Sequence, residues 1–212
     1  MTTPTLPATT LIHPSILYFG TPVLLITTRN PDGSANITPM SSAWALADRV
    51  VLGLTGGSQG LGNIEREREC VLNIATPSLW PAIEALASTT GRAPVPAWKQ
   101  ESGYRHVADK FAHAGLTPLA STRVQPPRVA ECPLQLEARV VDTSRRELDA
   151  WRDDAGHFAI IETEVIAVHA HTDVVIADTD HIDPLRFHPL FYLFRHYVAK
   201  GAHLGRTFRA QA

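Results

Sequence analysis

The sequence predicts a mainly β, α+β fold: an antiparallel barrel with inserted helices. Three observations carry this. Short apolar strands dominate, and the first two flank Asn30-Pro31-Asp32-Gly33, a tight-turn signal in which Gly accepts positive φ. Two later stretches alternate apolar and polar residues over strand length. The segment between the third and fourth strands is too short to carry a parallel crossover.

The elements follow in order. "TPVLLITTRN" and "SANITPM" form the first hairpin, "RVVLGLT" a third strand and "CVLNIA" a fourth. Between the last two, "GNIEREREC" suits about two helical turns, with Asn63 near the start as a candidate cap. "SLWPAIEALASTTG" carries Leu79, Ile83 and Leu86 at helical spacing and ends at Gly91. "GRAPVPAWKQESGYRHVADKFAHAG" reads as a surface excursion that is briefly helical. "ECPLQLEARVVDT", with Leu134, Leu136, Ala138 and Val140 on one face, is a half-buried strand, and "HFAIIETEVIAVHAH" a long one. The aromatic, basic tail from about residue 183 is expected to be helical and associated with a dimer contact.

The composition sets bounds. A chain of 212 residues is long enough for one domain with a sizeable core. Residues 1–14 read as a flexible leader with no signal-peptide pattern, and residues 15–212 as the domain. A formal net charge of −2 gives no footprint for nucleic acid, and no apolar run approaches the roughly 20 residues of a membrane span. Cys70 and Cys132 make no disulfide framework and read as small buried side chains of a cytoplasmic protein.

Thr55-Gly56-Gly57-Ser58-Gln59-Gly60-Leu61-Gly62 spells T-G-x-x-x-G-x-G, the nucleotide loop of short-chain dehydrogenases. Its context rejects that reading. A Rossmann βαβ unit takes about 30 residues, whereas seven residues separate Gly62 from Cys70. The Tyr and Lys four residues apart that those enzymes use are also missing: Ala108 follows Tyr104 at that spacing, and Lys200 lies three after Tyr197. A glycine-rich turn into a helix still suits one phosphate, because unpaired N–H groups and the helix dipole favour an anion.

Taken together, "FGTPVLLITTRNPDGSANITPMSSAWAL", "GSQGLGNIERERECVLNI", "DKFAHAGLTP", "QPPRVAECPLQLEARVV" and "HIDPLRFHPLFYLFRHYVAKGAHLGR" occur in an order that resembles the flavin reductase-like family, with a closer likeness to its flavoredoxin-type members. The resemblance implies an FMN-binding split β-barrel. It implies that Ser41, Ser42, Ala43 and Trp44 lie along the isoalloxazine ring, and that Ser58, Gln59 and Gly60 serve the phosphate or ribityl chain. Asn63 either caps the helix or joins them. Lys110 is either a solvated helix lysine or a cation near the N1–C2 edge of the flavin, where it would stabilise the reduced anion.

Two departures matter. Gly60 stands where relatives commonly carry Thr or Ser, and losing that hydroxyl costs about 1–2 kcal/mol of phosphate binding unless it is replaced. The Gly-Asp-His motif that helps nicotinamide binding in two-component monooxygenase reductases is absent. The expected activity is transfer of electrons from NAD(P)H through FMN, with FAD less suited, to free flavin, a ferric complex or a partner oxygenase, by a homodimer. The alternative is a non-catalytic flavin-binding or electron-carrier protein. No side chain stands out as an obligatory acid or base. His169 and His171 share a strand face, but no third metal ligand is evident; His106 and His113 read as surface decoration.

Overall fold

A computed structural model describes residues 7–147, 157–205 and 207; the expected leader and tail extend beyond these limits. In chain order the elements are β1 (Phe19–Pro22), β2 (Leu24–Arg29), β3 (Ala35–Met40), β4 (Ala43–Leu46), β5 (Arg49–Thr55), α1 (Gln59–Glu67), β6 (Glu69–Ile74), α2 (Trp80–Ala87), β7 (Thr89–Thr90), α3 (Ala97–Glu101), β8 (Arg105–His106), α4 (Lys110–Ala114), β9 (Pro118–Leu119), β10 (Arg128–Val129), β11 (Leu134–Glu147), β12 (His157–Ala170), β13 (Phe191–Leu193) and β14 (His196–Val198).

Seven strands form one antiparallel sheet in the order β3-β2-β6-β11-β12-β5-β4. β3 and β4 lie at its opposite edges, yet only Ser41 and Ser42 separate them in the chain. The edges must therefore approach each other, and the Gly53 N–H bonds the Ser42 carbonyl at 2.7 Å, extending the β4–β5 ladder up to this link. The sheet is a split barrel. Register shifts at Glu137/Ala138 and Val140/Asp142 of β11 let its long ribbon bend.

The strand "VLLI" is apolar on both faces because it has a core on each side. Leu24 and Ile26 face the barrel interior with Leu52, Ile64, Leu72 and Ile161. Val23 and Leu25 face an outer layer with Ile83, Leu86, Phe111 and Leu190. Each fully buried Leu or Ile contributes about 1.5–3 kcal/mol by leaving water. Cys70 and Cys132 are buried free thiols in these two cores, and burial pushes the Cys70 thiol up to about 12.

Three expectations are corrected. The tail is not helical within the described residues: β13 and β14 form a hairpin that pairs with β1. Its turn residues Phe194 and Arg195 have φ of 42° and 71°, as a hairpin turn of inverted twist requires. β11 is half-buried only from Arg139 onward, because at its start Gln135 and Glu137 on the second face are buried too. Glu137 accepts the backbone N–H groups of Thr122, Arg123 and Val124, and so ties down the loop that covers that face. His106, read as surface decoration, is exposed on β8, whereas His113 on α4 is half-buried and its Nε2 lies 3.1 Å from the Ala85 carbonyl.

Candidate functional site

The octet containing Gly60 builds one end of a cleft. Gly57 turns the chain with φ of 67°. Ser58, extended at φ −78° and ψ 148°, then caps α1, its Oγ accepting the Leu61 N–H at 3.1 Å. The cap is thus Ser58, five residues before Asn63. Asn63 lies within α1, fully buried, and aims into the protein. Its amide donates to Thr28 Oγ1 at 3.0 Å and Asn30 Oδ1 at 2.8 Å, and its Oδ1 accepts from Gln59 Nε2 at 2.8 Å. Asn63 therefore fastens the first turn of α1 to the β2–β3 hairpin.

The cleft holds about 510 Å³ and lies between the barrel seam, the start of α1 and the segment from α2 to α4. Ser41, Ser42, Ser58, Gln59, Gly60 and Lys110 all line it. Two residues expected there are elsewhere: Ala43 packs inside the barrel core, and Trp44 is 58% exposed on β4. Ser41 and Ser42 form the link between β3 and β4, whereas Ala43 and Trp44 begin β4, where alternation points successive side chains to opposite faces.

The expected surface excursion is in fact a wall. Thr90, Gly91, Trp98, Lys99 and Tyr104 line the cleft. Gly91 permits close packing, since a Cβ there would meet Asn36 Oδ1 at 2.6 Å and Gln59 Cγ at 3.0 Å. From the far side come Tyr18, whose hydroxyl is 2.6 Å from Ser42 Oγ, and Tyr197, whose hydroxyl donates to Glu84 at 2.7 Å. Burial and this carboxylate push the Tyr197 phenol up.

Charge is lopsided. Lys99, Lys110 and Arg195 line the cleft against one carboxylate, Glu84. Lys110 is 4% exposed, not solvated as one reading of "DKFAHAG" had it. Its ammonium donates to the Ile37 carbonyl at 2.9 Å, and burial, followed by the nearby Lys99, pushes it down to about 8. Lys99 is 7% exposed and held down by burial and then by Arg92. Its ammonium lies 5.2 Å from the Trp98 ring centroid and 5.5 Å from that of Tyr104.

Gly60 carries no hydroxyl, but the Thr38 Oγ1 sits where its side chain would go and itself lines the cleft. Small residues at 57, 60 and 91, an open helix N-terminus and surplus positive charge make a cradle suited to an elongated, anionic, flat molecule.

A family model for the flavin reductase like domain matches residues 16–201. The chain belongs to the flavin reductase-like family. The chain is 41% identical over 200 residues to the uncharacterized protein YdfE of Bacillus subtilis (strain 168), covering 94% of this chain and 93% of that protein. Among solved structures, the flavoredoxin of Desulfovibrio vulgaris (Miyazaki F) superposes with a TM-score of 0.74 at 19% identity, covering 96% of this chain and 99% of its own. Nitrilotriacetate monooxygenase component B from Bacillus cereus follows at 0.70 and 19%, covering 91% and 89%. The split barrel is thus the fold of this family.

The two histidines expected on one strand face are separated by the end of β12, His169 lying within it and His171 one residue beyond, and both have protein partners. His169 Nε2 is 2.6 Å from Glu137 Oε1, and His171 Nε2 is 2.9 Å from the Ala130 carbonyl. Among the described residues no group of three or more His, Cys, Asp or Glu is placed to hold a metal, and no helix is long and apolar enough to cross a membrane. Lys99, Thr38 and the tyrosines were invisible to motif reading. The one signal was "PAWKQ", an aromatic beside a lysine in a short helix.

Proposed function

We propose that this protein is an FMN-dependent oxidoreductase that passes electrons from NAD(P)H to an acceptor. The observation that carries this reading is the charge and shape of the cleft: three cations to one carboxylate, opening on the capped N-terminus of α1. Ser58, Gln59 and the backbone of Gly60 hold the phosphate end. Ser41 and Ser42 of the barrel seam would border the ring, and Lys110 would supply a cation to its N1–C2 edge. A flavin held by these residues would supply the redox chemistry, hydride acceptance and onward electron transfer.

The chain's own residues bind and orient. Ser58 keeps its hydroxyl proton free to donate outward, because its oxygen lone pair is what accepts the Leu61 N–H. Asn63 fixes Gln59. Lys110, held in place by the Ile37 carbonyl, presents positive charge where reduction places negative charge. Tyr18 and Tyr197 close the far side against water.

Free flavin, a ferric complex or a partner oxygenase is the proposed acceptor. The likeness to nitrilotriacetate monooxygenase component B supports an oxygenase partner. The exposed apolar side chains Phe19, Trp44, Leu46 and Phe194 support a homodimer. A second reading, an electron carrier that does not itself oxidise NAD(P)H, is favoured by the absent Gly-Asp-His motif. Anaerobic stopped-flow mixing of the FMN-loaded protein with NADH and with NADPH separates them. Bleaching of the flavin band by either donor supports the enzyme, and no bleaching by both supports the carrier.

A further inference from the structure

The cleft has a neighbour. Beyond Tyr197 lies a second hollow of about 450 Å³, open to solvent and lined by Trp80, Glu84, Arg195, His196 and Tyr197. None of these residues belongs to α1 or α3. Glu84, Arg195 and Tyr197 border both spaces, so the two share a wall. That wall is fixed: the Tyr197 hydroxyl donates to Glu84 at 2.7 Å, and its ring lies 5.6 Å from that of Tyr192.

Two side chains give the hollow its chemistry. Trp80 opens α2, whose Ile83 and Leu86 turn into the outer core, yet its own ring is 52% exposed. A large ring left in water at the edge of a hollow is a stacking surface. Arg195 sits at the tip of the β13–β14 hairpin, with φ of 71° beside Phe194 at 42°. Glycine or asparagine takes such a turn without strain, whereas a long side chain holds it at a cost. What the cost secures is position, since the turn carries the guanidinium to the rim that cleft and hollow share. Among the described residues Arg195 makes no side-chain hydrogen bond and no ion pair, and neither does His196. Glu84, the one carboxylate of the hollow, is already engaged by Tyr197.

We infer that this hollow is a second ligand site, which takes a planar aromatic carboxylate. The ring of such a molecule stacks on Trp80. Its carboxylate meets the planar fork of Arg195, which matches that group in two parallel hydrogen bonds. A volume of about 450 Å³ suits a small planar molecule of this kind. The inference goes beyond the flavin reading and does not depend on it, because no residue of the proposed phosphate end takes part.

The experiment titrates 2-naphthoate and its neutral counterpart 2-naphthamide into the full chain by calorimetry, with and without excess FMN. Wild type is predicted to bind the acid about tenfold tighter than the amide, as a charge-assisted pair allows. Arg195→Gln is expected to abolish that preference, and Trp80→Leu to weaken both probes alike, with thermal melts to establish folding. Arg195→Gly separates a ligand role from a role in the turn. It is predicted to melt higher, as the backbone relaxes, while losing the preference for the acid. Uptake that persists under FMN supports a separate site, and displacement of the probe by FMN places it in the cleft and overturns the inference. No saturable uptake, equal affinity for acid and amide, or a preference untouched in Arg195→Gln also overturns it. Binding of ADP tighter than of 2-naphthoate overturns the carboxylate assignment. If neither Arg195 variant folds, the acid-to-amide ratio of wild type and the Trp80→Leu titration decide. FMN that fails to bind contradicts the flavin reading and leaves the hollow to be judged by the same ratios.

Discussion

The Thr38 hydroxyl occupies the space that a side chain on Gly60 would need. This contact joins β3 to the first turn of α1, and Thr38 Oγ1 also accepts a hydrogen bond from Asn36 at 3.2 Å. Thr38 is β-branched and stiff, so it does not swing aside cheaply. Gly60→Ala is predicted to destabilise the protein by about 1–3 kcal/mol through overpacking. Thr38→Ala in the same chain recovers part of this, giving a coupling of about 0.5–3 kcal/mol in a double-mutant cycle read by urea unfolding. Strict additivity would show that the contact carries no strain.

Lys110 gives a pH dependence. Its folded pKa of about 8 lies below the ordinary 10.5 because burial, and then Lys99, disfavour the charged form. The unfolded chain therefore binds the proton more tightly, and ligand-free stability rises as pH climbs from about 8 toward 10.5. FMN affinity moves the other way, falling as the ammonium deprotonates above about pH 8. Fluorescence titration of FMN across this range is predicted to show one proton lost, and Lys110→Met to flatten the profile.

Asn63 is a positioning residue. Asn63→Leu keeps the branched shape but removes the bonds to Thr28, Asn30 and Gln59. Leaving buried polar partners unsatisfied costs about 1–3 kcal/mol. The predicted result is a lower urea midpoint together with weaker FMN binding, because Gln59 loses its anchor. Unchanged FMN affinity in the folded variant would separate Asn63 from the cleft.

Glu137 reports on the opposite face of the barrel. Burial pushes its carboxyl up, but hydrogen bonds from the Thr122 and Arg123 N–H groups and from His169 outweigh this and hold it at about 2. Its contribution is complete above the ordinary 4.5 and is lost as pH falls through that window toward about 2. Glu137→Gln places an amide donor against N–H donors and is predicted to cost about 2–3 kcal/mol at neutral pH. The stability of that variant is expected to be less steep between about pH 4.5 and 2 than that of wild type, as read by denaturant unfolding.

What was legible in the sequence depended on how local the cause was. β2, β5, β6, β11 and β12 follow from apolar patterning, and α2 from the spacing of Leu79, Ile83 and Leu86, because burial of one face writes its period into the chain. The hairpin of β13 and β14 was hidden. Its turn uses Phe194 and Arg195 at positive φ, where glycine or asparagine normally signals a turn. The segment carrying Lys99 read as a surface excursion, and one of the two readings of Lys110 was a solvated lysine, because charge ordinarily marks surface. Both lysines are buried by a wall that folds over α1 from a distant stretch of chain, and no spacing records that. Asn63 read as either a cap or a ligand contact, and its structural role was hidden by distance. Its partners Thr28 and Asn30 lie more than 30 residues earlier, beyond any helical pattern.

The central claim is that the cleft at the start of α1 is a flavin mononucleotide site. Equilibrium titration of FMN with the purified full chain, read by quenching of flavin fluorescence and by the visible band of the dialysed complex, tests it most directly. The account predicts saturable uptake of one FMN per chain, with riboflavin weaker. Protein that stays colourless and leaves FMN fluorescence unchanged, while binding NAD(H), would contradict it.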